Sequence, residues 1–487
     1  MILHERNVYG DCGDAARLEA QVRADLQADG NALQAADSIA GDGGAGDDGA
    51  GDGVAGDGGA GDDGAGRWSV EAWRLTAVPE RMRGGRAAAE AVLRAVDPEG
   101  YARSRNFLDG RVTGLSPYLR HGVLALGEVR DAALAAAGAG AEKLVQELAW
   151  REYWQRVYVA LDGAVGADLE ADKTGVVARA RELPEDVREA RTGLRCMDAW
   201  SGQLQRSGYL HNHARMWMAA YLVHWRRVRW QAGAAWFREH LLDGDAASND
   251  LSWQWVASTF GSKPYFFNRE NLERYTGGRF CQGCALAGRG CPMEGSYEDL
   301  AGRLFGAGAE TAAGMATQSG DGRWPAGRLR RVKGAAAADK PVRQPLIWVH
   351  AGSLNPKQEA LRRYPEAPVV FVWDEEWLER DRVSAKRLAF VAECLREMPE
   401  RMWIARVERG GLAELLRGLC ARLGADGVVA QETAEAVVRM RGEPVGWVRE
   451  PRFCDGTEEL GELDLRRFSR FWQRVQRRAM QSSGYNR

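Results

Sequence analysis

The texture of the sequence changes once, near residue 342, and that change limits the fold more than any other feature. From Arg67 to about Leu304, apolar residues recur at helical spacing. AEKLVQELAWREYWQRVYVAL (141–161) and SGYLHNHARMWMAAYLVHWRRV (207–228) both place aromatic and aliphatic side chains at i, i+3, i+4 and i+7, and no strand-like alternation interrupts them. Beyond residue 342 the runs become short, apolar and β-branched: LIWVH (346–350), VVFVW (369–373), MWIARV (402–407), GVVAQE (427–432) and VGWVRE (445–450). Between the later runs lie helical segments, VSAKRLAFVAECLREM (383–398) and GLAELLRGLCARLG (411–424). Strands alternating with helices predict a parallel, doubly wound sheet. The predicted fold class is therefore α plus α/β, with an all-helical domain followed by a parallel α/β domain. The last run, LDLRRFSRFWQRVQRRAM (463–480), predicts a basic amphipathic helix.

A chain of 487 residues is too long for one compact core. The punctuation gives an N-terminal extension (1–40), a linker (41–66), the helical domain (67–304), a second linker rich in Gly, Ala and charge (305–341), the α/β domain (342–450) and a C-terminal helix (451–487). In residues 41–66 the decamer DGGAGDDGAG occurs twice, half the residues are Gly, and no large apolar side chain is available to bury, so a flexible acidic linker is expected. The aliphatic residue that a Gly/Asp calcium repeat needs in each turn is missing. Charge is unevenly spread. The whole chain is −2, but residues 1–40 contribute −4 and residues 41–66 contribute −7, which leaves +9 on residues 67–487. A basic body permits a polyanionic partner. No run of 18 or more apolar residues occurs, and the N-terminus lacks a basic start followed by an apolar run, so an intracellular, cytoplasmic protein without a membrane partner is expected. Three of the eight cysteines fall within eleven residues, which suggests a metal or cluster site in a reducing compartment.

The most informative stretch is LLDGDAASNDLSWQWVASTFGSKPYFFNRENL (241–272). Spacing alone offers acids, an Asn and a Trp pair near a turn. The whole pattern, however, resembles the flavin-binding core of the photolyase/cryptochrome family: an acidic DGD (Asp243, Gly244, Asp245), an Asn (Asn249), a WQW (Trp253, Gln254, Trp255), then PYF (Pro264, Tyr265, Phe266) leading to Asn268. Upstream, HNHARM (211–216) is similar to the family's HNRxRM, and TGLRCMDAW (192–200) to its TGxPxxDA. ELAWREYW (147–154) is similar to its ELxWREFY, and VTGLSPYLRHG (112–122) to its phosphate-contacting TSxLSxxLxxG. The motifs run in family order over residues 67–275, and the fold implied is a helical FAD-binding photolyase domain followed by a Rossmann-like α/β domain.

The resemblance implies a site. Asn249 matches the residue facing flavin N5. Asn212 and Arg215, three apart on one helix face, point at the flavin, with Arg215 paired to Asp243. Asp245, Thr113, Ser116 and Tyr101 match further flavin contacts, Thr113 and Ser116 at the pyrophosphate; the plain alternative for these two is a helix N-cap. Trp150 and Trp255 match the two tryptophans that flank an extruded pyrimidine dimer, because a dimer inside a duplex cannot reach a buried flavin. Glu147 would anchor the thymine edge and Arg151 shares its helix face. Met216 is the residue of dimer-type enzymes, and Asn212 stands where (6-4) enzymes carry a catalytic His, so His211 and His213 are not expected to act as general acids. Trp253 and Trp230 match the first two members of the photoreduction chain; the third falls near Val177, with Trp200 and Trp225 as substitutes.

FCQGCALAGRGCPMEGSYEDL (280–300) supplies Cys281, Cys284 and Cys291. A zinc knuckle would need a fourth ligand. One branch of the family carries a four-Cys iron–sulfur cluster whose fourth ligand precedes the HN helix, where this chain has Cys196, and four thiolates without a local His suit a 4Fe-4S cluster. The usual family order puts the α/β domain first; here LIWVHAGSLNP (346–356), similar to its opening strand and loop, follows the flavin domain, as in a circular permutation. No residue set fixes an antenna chromophore, whose identity stays open. The function expected is a monomeric, light-driven photolyase of the cyclobutane type acting on damaged duplex or single-stranded DNA with FAD and a 4Fe-4S cluster. The alternatives are a cryptochrome-like photoreceptor, a (6-4) photolyase, or a DNA-binding redox protein.

Overall fold

The computed structural model describes residues 82–176, 178–306, 342–450, 453–454 and 464–482, together with the backbone of Leu3 and His4. The linker at 41–66, Val177 and most of the 305–341 linker lie outside the described residues. One sheet is built from β1 (Leu3–His4), β2 (Pro345–Val349), β3 (Val369–Asp374), β4 (Met402–Val407), β5 (Gly427–Gln431) and β6 (Val445–Val448), in the order β1-β4-β3-β2-β5-β6. The five strands β2 to β6 are parallel, and β1 adds antiparallel to β4, with Leu3 opposite Ala405. The parallel sheet predicted from the sequence is therefore present. β1 is not a feature the N-terminal extension announces, since a two-residue strand has no periodicity to read.

The period of two along each strand divides the core. Leu346, Trp348, Val370 and Val372 face one way and meet Leu412, Leu415, Leu416 and Leu419 of the Leu412–Leu423 helix. Ile347, Val349, Val369 and Phe371 face the other way, where they join Phe390 and Val391 of the Ala385–Leu395 helix and, continuously, Tyr118, Val145 and Tyr153 of the helical domain. Both faces of β2, β3 and β5 are covered, which is why these strands read as unbroken apolar runs.

In the helical domain the 141–161 run forms the Glu142–Ala160 helix. The 207–228 run does not form one helix. The Arg195–Ser207 helix ends at Gly208, a new helix starts at Asn212 with His211 as its N-cap, and after Ala220 it widens into a π-helical turn, Tyr221–Trp225. The C-terminal run forms the Phe468–Ala479 helix, with Phe468, Phe471, Trp472, Val475 and Ala479 buried along one stripe. That stripe lies on the Glu142–Ala160 helix: Phe468 stacks on Trp150 with ring centroids 3.7 Å apart and planes 12° from parallel, and the Tyr153 hydroxyl donates to the carbonyl of Leu465 at 2.7 Å. Among the described residues, no helix is long and apolar enough to cross a membrane.

Candidate functional site

The DGD segment is the pivot of the site. Asp245 caps the turn that follows it, accepting from Ser248 N at 2.6 Å, and residues Ala246–Asp250 form a second π-helical turn. Such turns insert one residue into a helix and change the aim of its side chains. Asn249 is thereby directed so that its Nδ2 donates to the carbonyl of Ala234 and to Asp250 Oδ1, both at 2.9 Å. On the neighbouring Asn212–Ala220 helix, Arg215 forms a two-pronged pair with Asp243, at 3.1 and 2.9 Å, while its Nε donates to the carbonyl of Leu210. Asn212 Nδ2 lies 3.7 Å from Met216 Sδ. Burial would raise the Asp245 pKa, but the charges of Arg151 and Arg120 outweigh it and hold the carboxyl at about 2. Asp250 goes the other way: burial pushes it up to about 6 although Arg238 and Asn249 bond to it. Burial holds His211 down to about 3 and His213 to about 4, so both are neutral at pH 7.

Several expected contacts take another form. Arg151, expected to face substrate, donates from Nη1 to Asp245 Oδ2 at 2.8 Å and to Ser248 Oγ at 3.2 Å; a buried carboxylate claims the nearest guanidinium. Ser116 is the first residue of the Ser116–Arg120 helix and Leu115 holds the cap position without a side-chain bond, so the N-cap alternative fails for Ser116. Thr113 Oγ1 accepts from Leu115 N at 3.3 Å. Glu147 lies 2.9 Å from Lys143 Nζ and 3.7 Å from Arg105. The half-buried Tyr101 has its phenol pKa raised, first by burial and then by the charge of Glu147, which sets these two side chains near each other. Trp255 is half-buried beside Tyr265, with centroids 5.5 Å apart. Trp150 is not an open wall: Phe468 covers one face, and Trp154 and Tyr153 crowd it at 5.0 and 5.8 Å. The amphipathic C-terminal helix must bury Phe468, and Trp150 is the flat surface it finds.

Trp253 is buried against the Trp230–His240 helix, edge-on to Phe237 at 4.9 Å, and Trp230 donates to Asp168 at 2.7 Å. Gly233 makes this approach possible, because a Cβ there would sit 2.3 Å from the Trp253 ring. Gly233→Ala is therefore expected to force the indole aside and lower the stability to urea by roughly 1–3 kcal/mol. An unchanged unfolding midpoint would mean that Trp253 is free to move. Trp200 stacks on Trp217 at 5.2 Å and meets Phe280 at 5.3 Å, and Trp225 donates to the carbonyl of Pro292 at 2.9 Å. These two substitutes for the third chain member thus lie beside the cysteine segment.

Cys196 is buried near the start of the Arg195–Ser207 helix, and Arg195 ties that helix to the CxxC loop by donating to the carbonyl of Gln282 at 2.7 Å. Burial raises the Cys196 pKa well above the usual thiol value, and the nearby Cys281, Cys291 and Cys284 add to it; burial also pushes Cys281 up to about 12. The four thiols are gathered, but among the described residues no three His, Cys, Asp or Glu side chains converge as the ligands of a metal ion. The expected ligand set is thus assembled only as a neighbourhood.

Sequence reasoning missed a set of charges behind the DGD segment: Arg120, Asp250, Asp381 and Arg387, which are buried, with the half-buried Arg238 and Glu435. No local pattern marks them, since they pair across long stretches of sequence.

Comparison with known proteins comes to the same region. Residues 144–276 match the FAD binding domain of DNA photolyase. The chain is 34% identical over 205 residues to a deoxyribodipyrimidine photo-lyase of Halobacterium salinarum, covering 39% of this chain and 42% of that one. It is 35% identical over 160 residues to one of Streptomyces griseus, covering 33% and 35%. An archaeal photolyase from Sulfolobus tokodaii, solved with two FAD molecules, is 28% identical over 42% of this chain and 46% of its own, with a TM-score of 0.35. The chain thus spans less than half the length of these curated relatives. Residues 144–276, within the helical part of the chain, are thus similar to the FAD binding domain of DNA photolyase.

Proposed function

We propose that this protein is a light-driven photolyase that binds FAD between the DGD segment and the Asn212–Ala220 helix and repairs cyclobutane pyrimidine dimers. The observation that carries the reading is the arrangement of Arg215, Asp243 and Asn249. Arg215 and Asp243 neutralise each other and present a fixed, planar, polar edge to a ring system. Asn249 uses its amide nitrogen twice within the protein, so its amide oxygen is the group with capacity to accept from an N5–H, as a reduced flavin requires. The residues present therefore fit the cofactor. Reduced FAD, when bound, supplies the light absorption and the electron that splits the dimer. The protein positions, excludes water and stacks: Trp255 offers an aromatic face, Glu147 a carboxylate, and neither neutral His211 nor His213 supplies a proton. Asn212 in place of a His favours cyclobutane dimers over (6-4) lesions.

The four gathered thiols suit a 4Fe-4S cluster, held by Cys196, Cys281, Cys284 and Cys291. A single zinc ion would draw four sulfurs to about 2.3 Å from one point, whereas a cubane spreads its thiolates around a larger body. Burial opposes ionisation of Cys196, Cys281 and Cys291, so these thiols need a strongly cationic partner to become ligands. The order of the domains is read as a circular permutation, with the C-terminal helix returning to the flavin domain.

A second reading has its own support. Phe468 covers one face of Trp150, which suits a photoreceptor that repairs nothing. The test is a repair assay on dimer-containing single-stranded DNA under blue light, with the flavin fully reduced. Light-dependent loss of dimers is expected; persistence of dimers under those conditions would leave the photoreceptor reading in its place.

A further inference from the structure

We infer that Arg387, from the α/β domain, is a positioning residue for the DGD segment, acting with Arg120 on the carbonyl of Gly244. The inference rests on the flavin reading of residues 243–249 and deepens it: the α/β domain shapes the flavin site.

Three observations support this role. First, the Gly244 carbonyl accepts twice, from Arg387 Nη1 at 2.8 Å and from Arg120 Nε at 2.9 Å. Its neighbours on either side are the two carboxylates of the site, Asp243 on Arg215 and Asp245 on Arg151, so fixing this carbonyl fixes the aim of both. Arg120 is itself held from the α/β domain, by Glu435 at 2.8 Å. Residue 244 is glycine for a physical reason: a Cβ would lie 2.8 Å from Arg387 Nη1 and 3.1 Å from the backbone of Arg238.

Second, the same α/β-domain charges reach the other end of the segment. Asp381 lies 3.8 Å from Arg238 Nε and 4.0 Å from Arg387 Nη2. Arg238 pairs with Asp250, and Asp250 accepts from Asn249. The N5-facing residue is thus three contacts from Asp381.

Third, Arg387 is fully buried, and among the described residues its Nε and Nη2 have no hydrogen-bond partner. A desolvated cation bonded this thinly is a poor way to stabilise a fold, since apolar replacements of buried ion pairs are often neutral or favourable. Fold stability alone does not account for Arg387; the location of its side-chain hydrogen bond to Gly244 does.

The test uses the full chain as Arg387→Met, Arg387→Lys and, as a control, Arg439→Met, whose partners Asp374 and Glu376 lie within the α/β domain at 3.0 and 2.9 Å. Amide hydrogen exchange over residues 243–250 is measured without flavin, and FAD affinity by titration. Arg387→Met is expected to speed exchange there and weaken FAD binding by about tenfold, ~1.4 kcal/mol. Arg387→Lys should recover most of both, because it keeps the charge and a donor. Arg439→Met should change neither, whatever it does to thermal stability. If Arg387→Met fails to fold, Gly244→Ala displaces the same guanidinium from the other side and takes its place, with the same two readouts. Exchange no faster than in the control would overturn the inference, as would faster exchange with unchanged FAD affinity. If the unmodified protein takes up no FAD while the exchange difference persists, the clamp stands and the flavin reading fails.

Discussion

Cys196→Ser is expected to give a protein that retains no iron and unfolds at least about 10 °C lower than the parent. Metal or cluster ligands belong to the short list of positions where one change costs more than ~4 kcal/mol, and ~1 kcal/mol corresponds to roughly 2–4 °C for a domain of this size. The expectation follows from where Cys196 sits. It is buried on the Arg195–Ser207 helix one turn before Trp200, which meets Phe280, and Phe280 precedes Cys281. A cluster bonded to Cys196 would join that helix to residues 281–291, which are otherwise held to it by Arg195 and by aromatic edges. Elemental analysis and the charge-transfer absorbance of thiolate-bound iron read the outcome directly. Zinc in place of iron would assign a structural zinc site. Loss of less than about 1 kcal/mol, with no metal in the parent, would make the thiols ordinary interior side chains, a change within the usual range for point substitutions.

What could be read from the sequence was whatever a local pattern encodes. The apolar runs match strands β2 to β6 to within a residue or two; β2, β3 and β5 are legible because strands covered on both faces are apolar almost without interruption, β4 and β6 through their β-branched and aromatic residues. The Glu142–Ala160 helix was anticipated for the corresponding reason at helical period. The 207–228 run misled, because its apolar spacing continues through Gly208 and His211, where the backbone turns away; periodicity reports which residues are to be buried, not that the chain between them stays helical. The candidate site divides in the same way. The acids and Asn249 stand close together in sequence and were found as a motif. Arg387 and Gly244 are 143 positions apart, and Phe468 and Trp150 are 318 apart, so neither pairing leaves a local trace. The amphipathic C-terminal helix announced that it would cover something, and only the fold identifies what it covers.

That cover gives the second large expectation. Phe468→Ala should lower global stability by roughly 3–5 kcal/mol, the usual loss for truncating a buried aromatic ring, because Phe468 is buried and meets Trp150, Tyr153, Phe471 and Trp472. In the repair reading the same change uncovers Trp150. A base that stacks there no longer competes with a ring already in place, and since an aromatic pair is worth about 0.5–1.5 kcal/mol beyond its buried area, dimer-containing DNA should bind roughly threefold to tenfold more tightly. Trp150→Ala should act in the opposite direction, weakening dimer binding by about tenfold to a hundredfold, at ~1–3 kcal/mol for each stacked base. The double variant should then bind as Trp150→Ala does, because Phe468 has nothing left to cover. Binding measured by titration below the unfolding temperature of each variant separates these effects from stability. If Phe468→Ala destabilises the protein but leaves dimer affinity unchanged, and Trp150→Ala does the same, then Trp150 and Phe468 are two faces of one interior contact. The chain would carry the flavin half of a photolyase site behind a closed aromatic wall, and light absorbed there would have to act on something other than an extruded base.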